Sequence, residues 1–292
     1  MRYVSTTTAA KALGLGVSTV KRMVDDGEIL ADRTPKGHRR IILSDLLARI
    51  RGGDLPYVDL QLLMDLCGEG EGPRQVPEIA DQLLEALTRG DGEQSRALIL
   101  RAHETGLTIP QLADDVIAPV MRKVGHRWEE GSIDVFHEHR GSQLCLTALQ
   151  VLKDRLTPTP TIPAPLVALG GSPERDLYEM PSLLAEMMLS EQGWKAVNLG
   201  SNTPLASFEK AMREIRPRLL WLSVSYLEDV DRFLREYERL YQTAQELNVA
   251  VAVGGFALSE EVRSRMSYVT FGDRLECLAA LARVISSDET SR

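Results

Sequence analysis

The segment LVALGG, residues 166–171, begins the sequence pattern that decides the fold of the second half of the chain. Four more short apolar segments follow, KAVNLG (195–200), LLWLSVS (219–225), VAVAVGG (249–255) and YVTFG (268–272). Segments with a helical pattern lie between them. Apolar strands that alternate with helices are typical of a parallel sheet covered on both faces. We therefore expect a five-stranded α/β domain in this part of the chain.

Five such units predict the flavodoxin-like (Rossmann-like) strand order, in which ligands bind at the carboxyl ends of the strands. Small residues stand at those ends and leave room for a bulky ligand to enter between the strands. These residues are Gly170, Gly171, Gly200, Ser223, Ser225, Gly254 and Gly255. For any one of the glycines, a plain turn explains the residue equally well.

Two segments without periodicity divide the chain. CGEGEGPRQVP (67–77) is typical of a flexible linker, and TPTPTIPAP (157–165), with four prolines in nine residues, predicts a stiff extended spacer. The predicted organisation is a head (1–66), a linker (67–76), a middle domain (77–157), a Pro-rich linker (158–165) and a tail domain (166–292).

The net charge of −8 is unevenly distributed. Residues 1–51 carry ten Lys or Arg and five acidic residues, which gives +5, so the rest of the chain carries −13. A basic head on an acidic body predicts an anionic partner for the head alone.

Several classes of protein are excluded by simpler features. No segment approaches the 18 consecutive apolar residues of a membrane span, and the N-terminal segment is too polar for a signal peptide. Cys67, Cys145 and Cys277 are far apart and odd in number, so they form neither a disulfide framework nor a zinc pattern. We expect a cytoplasmic protein without membrane contact.

The head has the pattern of two short helices joined by a glycine turn, followed by a basic hairpin and a third helix capped by Ser44. Small polar and basic residues on the second helix suit the major groove of DNA, and the hairpin suits phosphates. The candidate DNA-binding residues are Ser18, Thr19, Lys21, Arg22, Lys36, His38, Arg39 and Arg40. A protein-interaction module with a solvated basic hairpin is the alternative.

Over about residues 3–51 the head resembles the MerR/excisionase winged helix-turn-helix family. The matching residues are Ala9-Ala10, Leu13-Gly14, Ser18-Thr19-Val20, Gly27 and Gly37-His38-Arg39-Arg40. This resemblance implies binding to a double-stranded DNA operator as a homodimer or larger assembly such as a homotetramer. The long dimerising helix of ordinary MerR proteins is not visible after this head, so other segments must provide dimerisation.

The middle domain has the pattern of a four-helix bundle, with Ser132 as the predicted cap of the last helix. That helix carries His137 and His139. Trp128, followed after nine residues by Glu138-His139, resembles the signature of the helical cap domain in cobalamin-binding regulators of the light-responsive CarH/LitR type. The resemblance implies that Trp128, Glu138 and His139 line the pocket over the upper face of a corrin ring, with His139 as a candidate upper axial cobalt ligand. His137 lies outside the pattern.

The tail resembles the Rossmann-like domain of the same family. There, a serine on the third strand and a Gly-Gly pair enclose the dimethylbenzimidazole tail of the cofactor; Ser223, Ser225, Gly254 and Gly255 match them. The family also has an Asp/Glu-x-His-x-x-Gly motif whose histidine is the lower cobalt ligand. Here the segment is DLYEMP (176–181), with Tyr178 in place of the histidine and Pro181 in place of the glycine.

Asp176 and Tyr178 therefore remain candidate cofactor contacts, but no histidine follows His139 to ligate cobalt from below. In light-responsive members a second histidine follows the tryptophan, and here Glu129 stands there. Three outcomes stay open: cobalamin (adenosylcobalamin) bound without a lower histidine, another tetrapyrrole, or no cofactor.

No nucleophile with its base and no metal cage is visible, so we expect a protein that is not an enzyme. The predicted function is a transcription regulator, a repressor in which a tetrapyrrole ligand, and in photoreceptor members light, controls oligomerisation and operator binding. The alternatives are a cofactor-independent regulator that uses this fold for protein contacts, and a corrinoid carrier for methyl transfer. The missing lower histidine and the basic head argue against the carrier.

Overall fold

The computed structural model describes residues 3–33, 39–42, 46, 76–156 and 165–289. The predicted Ser44 cap, the tip of the hairpin at 34–38 and most of both predicted linkers lie outside these residues. The predicted domain boundaries therefore stay predictions.

The head contains two helices and a small antiparallel sheet. Its elements are β1 (Tyr3–Ser5), α1 (Thr6–Ala12), α2 (Val17–Asp25), β2 (Ala31–Arg33) and β3 (Arg39–Ile42). The strand order is β1-β3-β2, so the predicted hairpin is present and gains a strand that the sequence pattern did not predict. The Ser5 hydroxyl caps α1 by accepting from Thr8 N at 3.1 Å. Leu13, Val20 and Ile41 form its buried core.

The middle domain is the predicted bundle of four helical segments. They are α3 (Val76–Arg89), α4 (Gly92–Glu104), a third segment that joins α5 (Ile109–Gln111), a π-helical turn (Leu112–Ile117) and α6 (Ala118–Glu129), and α7 (Val135–Arg155). Their apolar faces share one core, in which Leu83, Leu87 and Ile99 are fully buried.

Ser132 is not the cap of α7, and that prediction was wrong. Its hydroxyl instead donates to Arg127 O at 2.8 Å, at the end of α6. The helix begins after Asp134, which forms a capping box with His137: the Asp134 side chain accepts from the His137 backbone, and His137 Nδ1 accepts from Asp134 N at 3.2 Å. Ser132 loses the role because it lies two residues too early in the turn.

The tail is a parallel five-stranded sheet with helices on both faces, as predicted. In chain order it contains β4 (Val167–Gly171), α8 (Met180–Glu191), β5 (Lys195–Asn198), α9 (Leu205–Ile215), β6 (Leu219–Ser223), α10 (Val230–Glu246), β7 (Ala250–Gly254), α11 (Glu260–Arg263), β8 (Thr270–Gly272) and α12 (Leu275–Glu289). The strand order β5-β4-β6-β7-β8 is the flavodoxin-like one. Helices α8 and α12 pack together on one face, and α9 and α10 on the other.

The bundle contacts the tail through α8 and α12. The carboxylate of Asp114, in the π-helical turn, accepts from Leu275 N at 2.7 Å and Glu276 N at 3.1 Å, at the start of α12. Arg274 donates to Asp115 at 3.1 Å. These contacts hold the bundle over one edge of the tail and fix the width of the cleft between them. Within the described residues, no helix is long and apolar enough to cross a membrane.

Candidate functional site

A cleft of about 880 Å³ lies between the bundle and the carboxyl ends of the strands. This volume is within the ~300–1,000 Å³ that is typical of small-molecule sites. The bundle supplies one wall, from the π-helical turn, α6 and the first half of α7. The opposite wall comes from the loop before α8 and the ends of β6, β7 and β8. The structure thus brings the candidate residues of both domains to one place.

The bundle wall carries Trp128, Glu138 and His139, as the sequence predicted for one site. Trp128 ends α6 with nearly half of its surface exposed in the cleft. Glu138 is held by Ser142, whose hydroxyl donates to Oε1 at 2.8 Å, and its Oε2 lies 3.5 Å from His139 Nε2. The imidazole of His139 is three-quarters exposed, so it is free to meet a ligand.

This wall combines a flat aromatic surface with a hydrogen-bonding pair. Met121, Val135 and Leu146 add apolar surface around the pair. A Cβ built on Gly125 would meet nothing within 4 Å, so the wall is also open beside the tryptophan. An apolar surface with few polar groups is the usual composition of a site for a flat organic ligand.

Glu129 and His137 lie beside the site and have other partners. Glu129 lies at the cleft next to Trp128, and its carboxylate pairs with His126 Nδ1 at 3.2 Å. His137 serves the capping box of α7, which explains why a second histidine stands two residues before His139.

On the tail wall, Tyr178 is 60% exposed and lies in the loop between β4 and α8. Asp176, two residues earlier, is fully buried. Its carboxylate accepts from Ser225 N at 2.6 Å, Tyr178 N at 3.0 Å and Tyr226 N at 3.2 Å. Burial raises the pKa of Asp176, and these backbone hydrogen bonds oppose the rise. Asp176 therefore ties the Tyr178 loop to the loop after β6, and it shows no free oxygen to the cleft.

The small residues at the strand ends have structural reasons of their own. A Cβ on Gly254 would lie 2.6 Å from Gly272 O, and Gly255, at φ +119°, would place one 2.3 Å from Val224 O. Ser223 is buried beside Gly254 on the neighbouring strand, whereas Ser225 reaches the cleft at the loop. These positions line the cleft, but close approach of the backbone already requires both glycines.

Sequence reasoning missed Trp221, the largest buried side chain of the sheet. A Cβ on Gly170 would lie 2.0 Å from Cδ2 of the Trp221 ring, so the indole covers this glycine. The residue stood within a continuous apolar strand, and a strand pattern does not tell which neighbour an aromatic ring covers. Asp114 was missed as well, because its partners are 161 and 162 residues away along the chain.

The head places its candidate DNA contacts on α2 and β3. Ser18, Lys21 and Arg22 are exposed on α2, and Thr19 is half-buried. Arg40 is exposed on β3. Lys36 and His38 lie outside the described residues.

Arg39 is engaged within the protein. Its guanidinium donates to both carboxylate oxygens of Asp25, at the end of α2, at 2.7 to 3.0 Å. This bidentate pair joins the hairpin to α2, so it positions the hairpin whether or not Arg39 also meets a phosphate.

Two family models match the chain. The "Helix-turn-helix domain" matches residues 3–54, and the "B12 binding domain" matches residues 79–153, the bundle. The bundle is therefore of the B12-binding kind and the head is a helix-turn-helix domain. Within the described residues, no group of three or more His, Cys, Asp or Glu side chains is arranged to hold a metal ion.

Two curated relatives come from Myxococcus xanthus. The chain is 28% identical over 200 residues to the HTH-type transcriptional repressor CarA; this match covers 68% of the chain and 66% of CarA, just under two thirds of its length. It is 27% identical over 258 residues to the HTH-type transcriptional repressor CarH, covering 79% of the chain and 81% of CarH.

Among solved structures, the monomethylamine corrinoid protein of Methanosarcina barkeri aligns with a TM-score of 0.60 at 18% identity. The alignment covers 70% of this chain and 97% of that protein. At this identity the likeness shows a shared fold for the bundle and tail, and no more.

Proposed function

We propose that this chain, a transcription regulator that joins a helix-turn-helix domain to a cobalamin-binding module, is a DNA-binding repressor controlled by a corrinoid ligand. The observation that carries the proposal is the bundle wall of the cleft. There Trp128 presents its face, and Ser142 holds Glu138 beside the exposed imidazole of His139.

The residues present support a corrin on its upper side only. A corrin ring would supply a cobalt ion with an axial position for a nitrogen ligand. His139 Nε2 lies beside the Glu138 carboxylate, which can orient the imidazole, so Nδ1 of this exposed ring is the nitrogen that could take that position. On the lower side Tyr178 offers a phenol, which is a poor neutral ligand for cobalt.

Repression is proposed to depend on assembly. A linked pair of heads raises avidity by about 10²- to 10⁴-fold over a single head without a new contact. A ligand in the cleft touches both bundle and tail, so its occupancy can change the surface through which copies of the chain associate. Ligand binding would then set how many heads reach the operator together.

The experiment combines a DNA gel shift with size-exclusion chromatography of the full chain. Each is run without ligand, with adenosylcobalamin in the dark, and with the same sample after illumination. We expect the ligand to change the oligomeric state and the affinity for operator DNA together, so that the larger assembly binds the DNA more tightly. Absence of DNA binding in every state would reject the proposal, and the illuminated sample decides whether light is a signal.

A cofactor-independent regulator is the second candidate, and one observation favours it. Gly254 and Gly255 are required by backbone contacts, so they would persist in a fold that binds nothing. In that case the protein would stay colourless after incubation with cobalamins while still binding DNA. A corrinoid carrier for methyl transfer is the third candidate, and methyl transfer to or from the reconstituted chain would test it.

A further inference from the structure

The face of the sheet beneath α8 and α12 is built mostly of small residues, with Leu219 and Trp221 as the larger side chains of β6. Ala168, Gly170, Ala252 and Gly254 lie on this face, and Trp221 stands among them. The Trp221 indole lies over Gly170, where even a methyl group would overlap the ring. The largest side chain of the face therefore occupies the space that the small residues leave above β4 and β6.

The indole is fixed in this position by hydrogen bonds. Trp221 Nε1 donates to Ser182 Oγ at 3.1 Å, and Ser182 Oγ donates to Asn198 Oδ1 at 3.0 Å. Asn198 Nδ2 in turn donates to Glu186 at 3.1 Å, and Lys153 from the bundle pairs with Glu186. A buried polar group that is satisfied in this way is costly to move, so the ring is a fixed wall.

The bottom of the cleft is closed and its rim is open. At the bottom, Trp221 is 2% exposed, Ala252 4% and Thr270 1%. At the rim, Tyr178 is 60% exposed and Phe256 95%. A ligand can thus lie flat between the bundle and the strand ends, but Trp221, Ala252 and Thr270 below it are almost inaccessible to water.

This arrangement disagrees with the mode of binding that the family resemblance implies, in which a nucleotide tail enters beside Ser223 and Gly254. We infer that the cleft binds a corrin ring whose nucleotide tail stays outside the sheet, because Trp221 fills the entrance over β4 and β6. This inference rests on the proposed function. No histidine follows His139, so no imidazole of the tail domain can take the place of the tail base on cobalt.

The preferred ligand is then a corrinoid without the nucleotide tail. In cobalamin with its base still on cobalt, the benzimidazole lies below the ring and must share space with the loop that carries Tyr178 and Pro181. Proline fixes φ near −65° and limits how far this loop can bend away. Cobinamide, which lacks the tail, avoids the conflict.

The test is an absorbance titration of the full-length protein with cobinamide and, separately, with cyanocobalamin. We expect cobinamide to bind at least tenfold more tightly, and any bound cobalamin to keep the spectrum of the base-coordinated form. Tighter binding of cobalamin, or a spectrum that shows its base displaced from cobalt, would overturn the inference. If neither corrinoid binds, the proposed function fails as well. If cobalamin binds more tightly than cobinamide, only the inference about the nucleotide tail fails.

Two matched variants locate the effect. Trp221→Leu opens the space over Gly170, whereas Trp194→Leu removes an equally large, buried tryptophan that does not line the cleft. We expect Trp221→Leu to reduce the preference for cobinamide at least tenfold through stronger binding of cobalamin, and Trp194→Leu to leave the preference unchanged. An unchanged preference in a folded Trp221→Leu protein, checked by circular dichroism, would contradict the role of Trp221. If this variant does not fold, Trp221→Phe replaces it, and the titration of the unmodified protein stands independently.

Discussion

Histidines two residues apart in the same helical turn have different roles in this protein. His139 projects into the cleft beside Glu138, while Nδ1 of His137 accepts a hydrogen bond from Asp134 N and helps to begin α7. The same residue type thus lines the cleft in one case and caps a helix terminus in the other. The difference depends on which side of the helix each position faces. Variants of His139 and His137 can therefore serve as a matched pair.

We expect His139→Ala to weaken corrinoid binding and to alter the absorption spectrum of the bound ligand, because an imidazole near the cobalt is lost. We expect His137→Ala to leave that spectrum unchanged and to lower the free energy of unfolding by about 0.5–2 kcal/mol, the usual cost of losing a helix cap. Titration with cobinamide and thermal unfolding measure the two effects. Identical spectra for the two variants would contradict the assignment of His139.

The sequence predicted the residues of the bundle wall of the cleft better than it predicted the closed sheet face beneath α8 and α12. Trp128, Glu138 and His139 could be grouped because their spacing resembles the signature of a cobalamin cap domain, and the fold brings them to one wall. Trp221 could not be assigned in the same way. Its effect depends on Gly170, which is its partner across the parallel register of β4 and β6, and on Ser182 of α8.

At the scale of elements, α2 and the hairpin behave as one unit. Arg39 of β3 is bound to Asp25 of α2. The hairpin therefore cannot move away from the helix without breaking the hydrogen bonds between these two charged side chains. Lys21 and Arg22 are exposed cations on the same helix. The basic pattern in the sequence predicted an anion-binding head, but it could not tell which arginine was already engaged.

We expect Lys21→Ala to weaken operator binding and to reduce the slope of log affinity against log salt concentration by ~0.9, the value for one phosphate contact. Lys11→Ala is the control, because Lys11 is an exposed cation of the same head on α1. Fluorescence anisotropy with labelled operator DNA between low and moderate salt measures the slope. An equal reduction for both variants would show that general charge, rather than the exposed face of α2, contacts the DNA.

The periodicity of the elements was largely predictable. Apolar strands alternating with helices gave the parallel sheet and its order, and three- and four-residue spacing gave the bundle. The start of α7 was not predicted, since Ser132 and Asp134 are both good capping residues and only the hydrogen bonds distinguish them. The pairing of β1 with β3 also depended on tertiary contacts, because a three-residue strand has too little pattern to detect.

At the scale of the whole molecule, Asp114 connects the bundle to the tail. Burial raises the pKa of this carboxyl from 3.8 to about 6, while the backbone N–H groups of Leu275 and Glu276 and the charge of Arg274 oppose the rise and Asp115 adds to it. A carboxyl whose pKa is raised in the folded state favours folding in its protonated form. Its contribution is therefore complete below pH 3.8 and is lost as the pH rises through about 6.

The comparison with Asp114→Asn tests this assignment, because the amide has no charge at any of these pH values. We expect the free energy of unfolding of the unmodified protein, minus that of the variant, to fall as the pH rises from about 4 to about 6 and then to level off. The total change is at most about 3 kcal/mol for a shift of two pKa units. Differential scanning calorimetry at intervals of one pH unit measures it. Parallel curves for the two proteins would show that Asp114 is not the titrating group.

The π-helical turn at Leu112–Ile117 has a consequence for how insertions and deletions can accumulate in this chain. Such a turn holds one residue more than the α-helix it interrupts. Because the wider turn absorbs that residue, removing it would restore regular winding without rotating the rest of the helical segment. An insertion or deletion of one residue in α6, where no such turn absorbs it, would rotate everything that follows by about 100°, the angle of a single α-helical step. Trp128 would then face away from the strands. Lineages of this protein should therefore tolerate length changes in the loops at either end of this helical segment and within the π-helical turn, but not within α6.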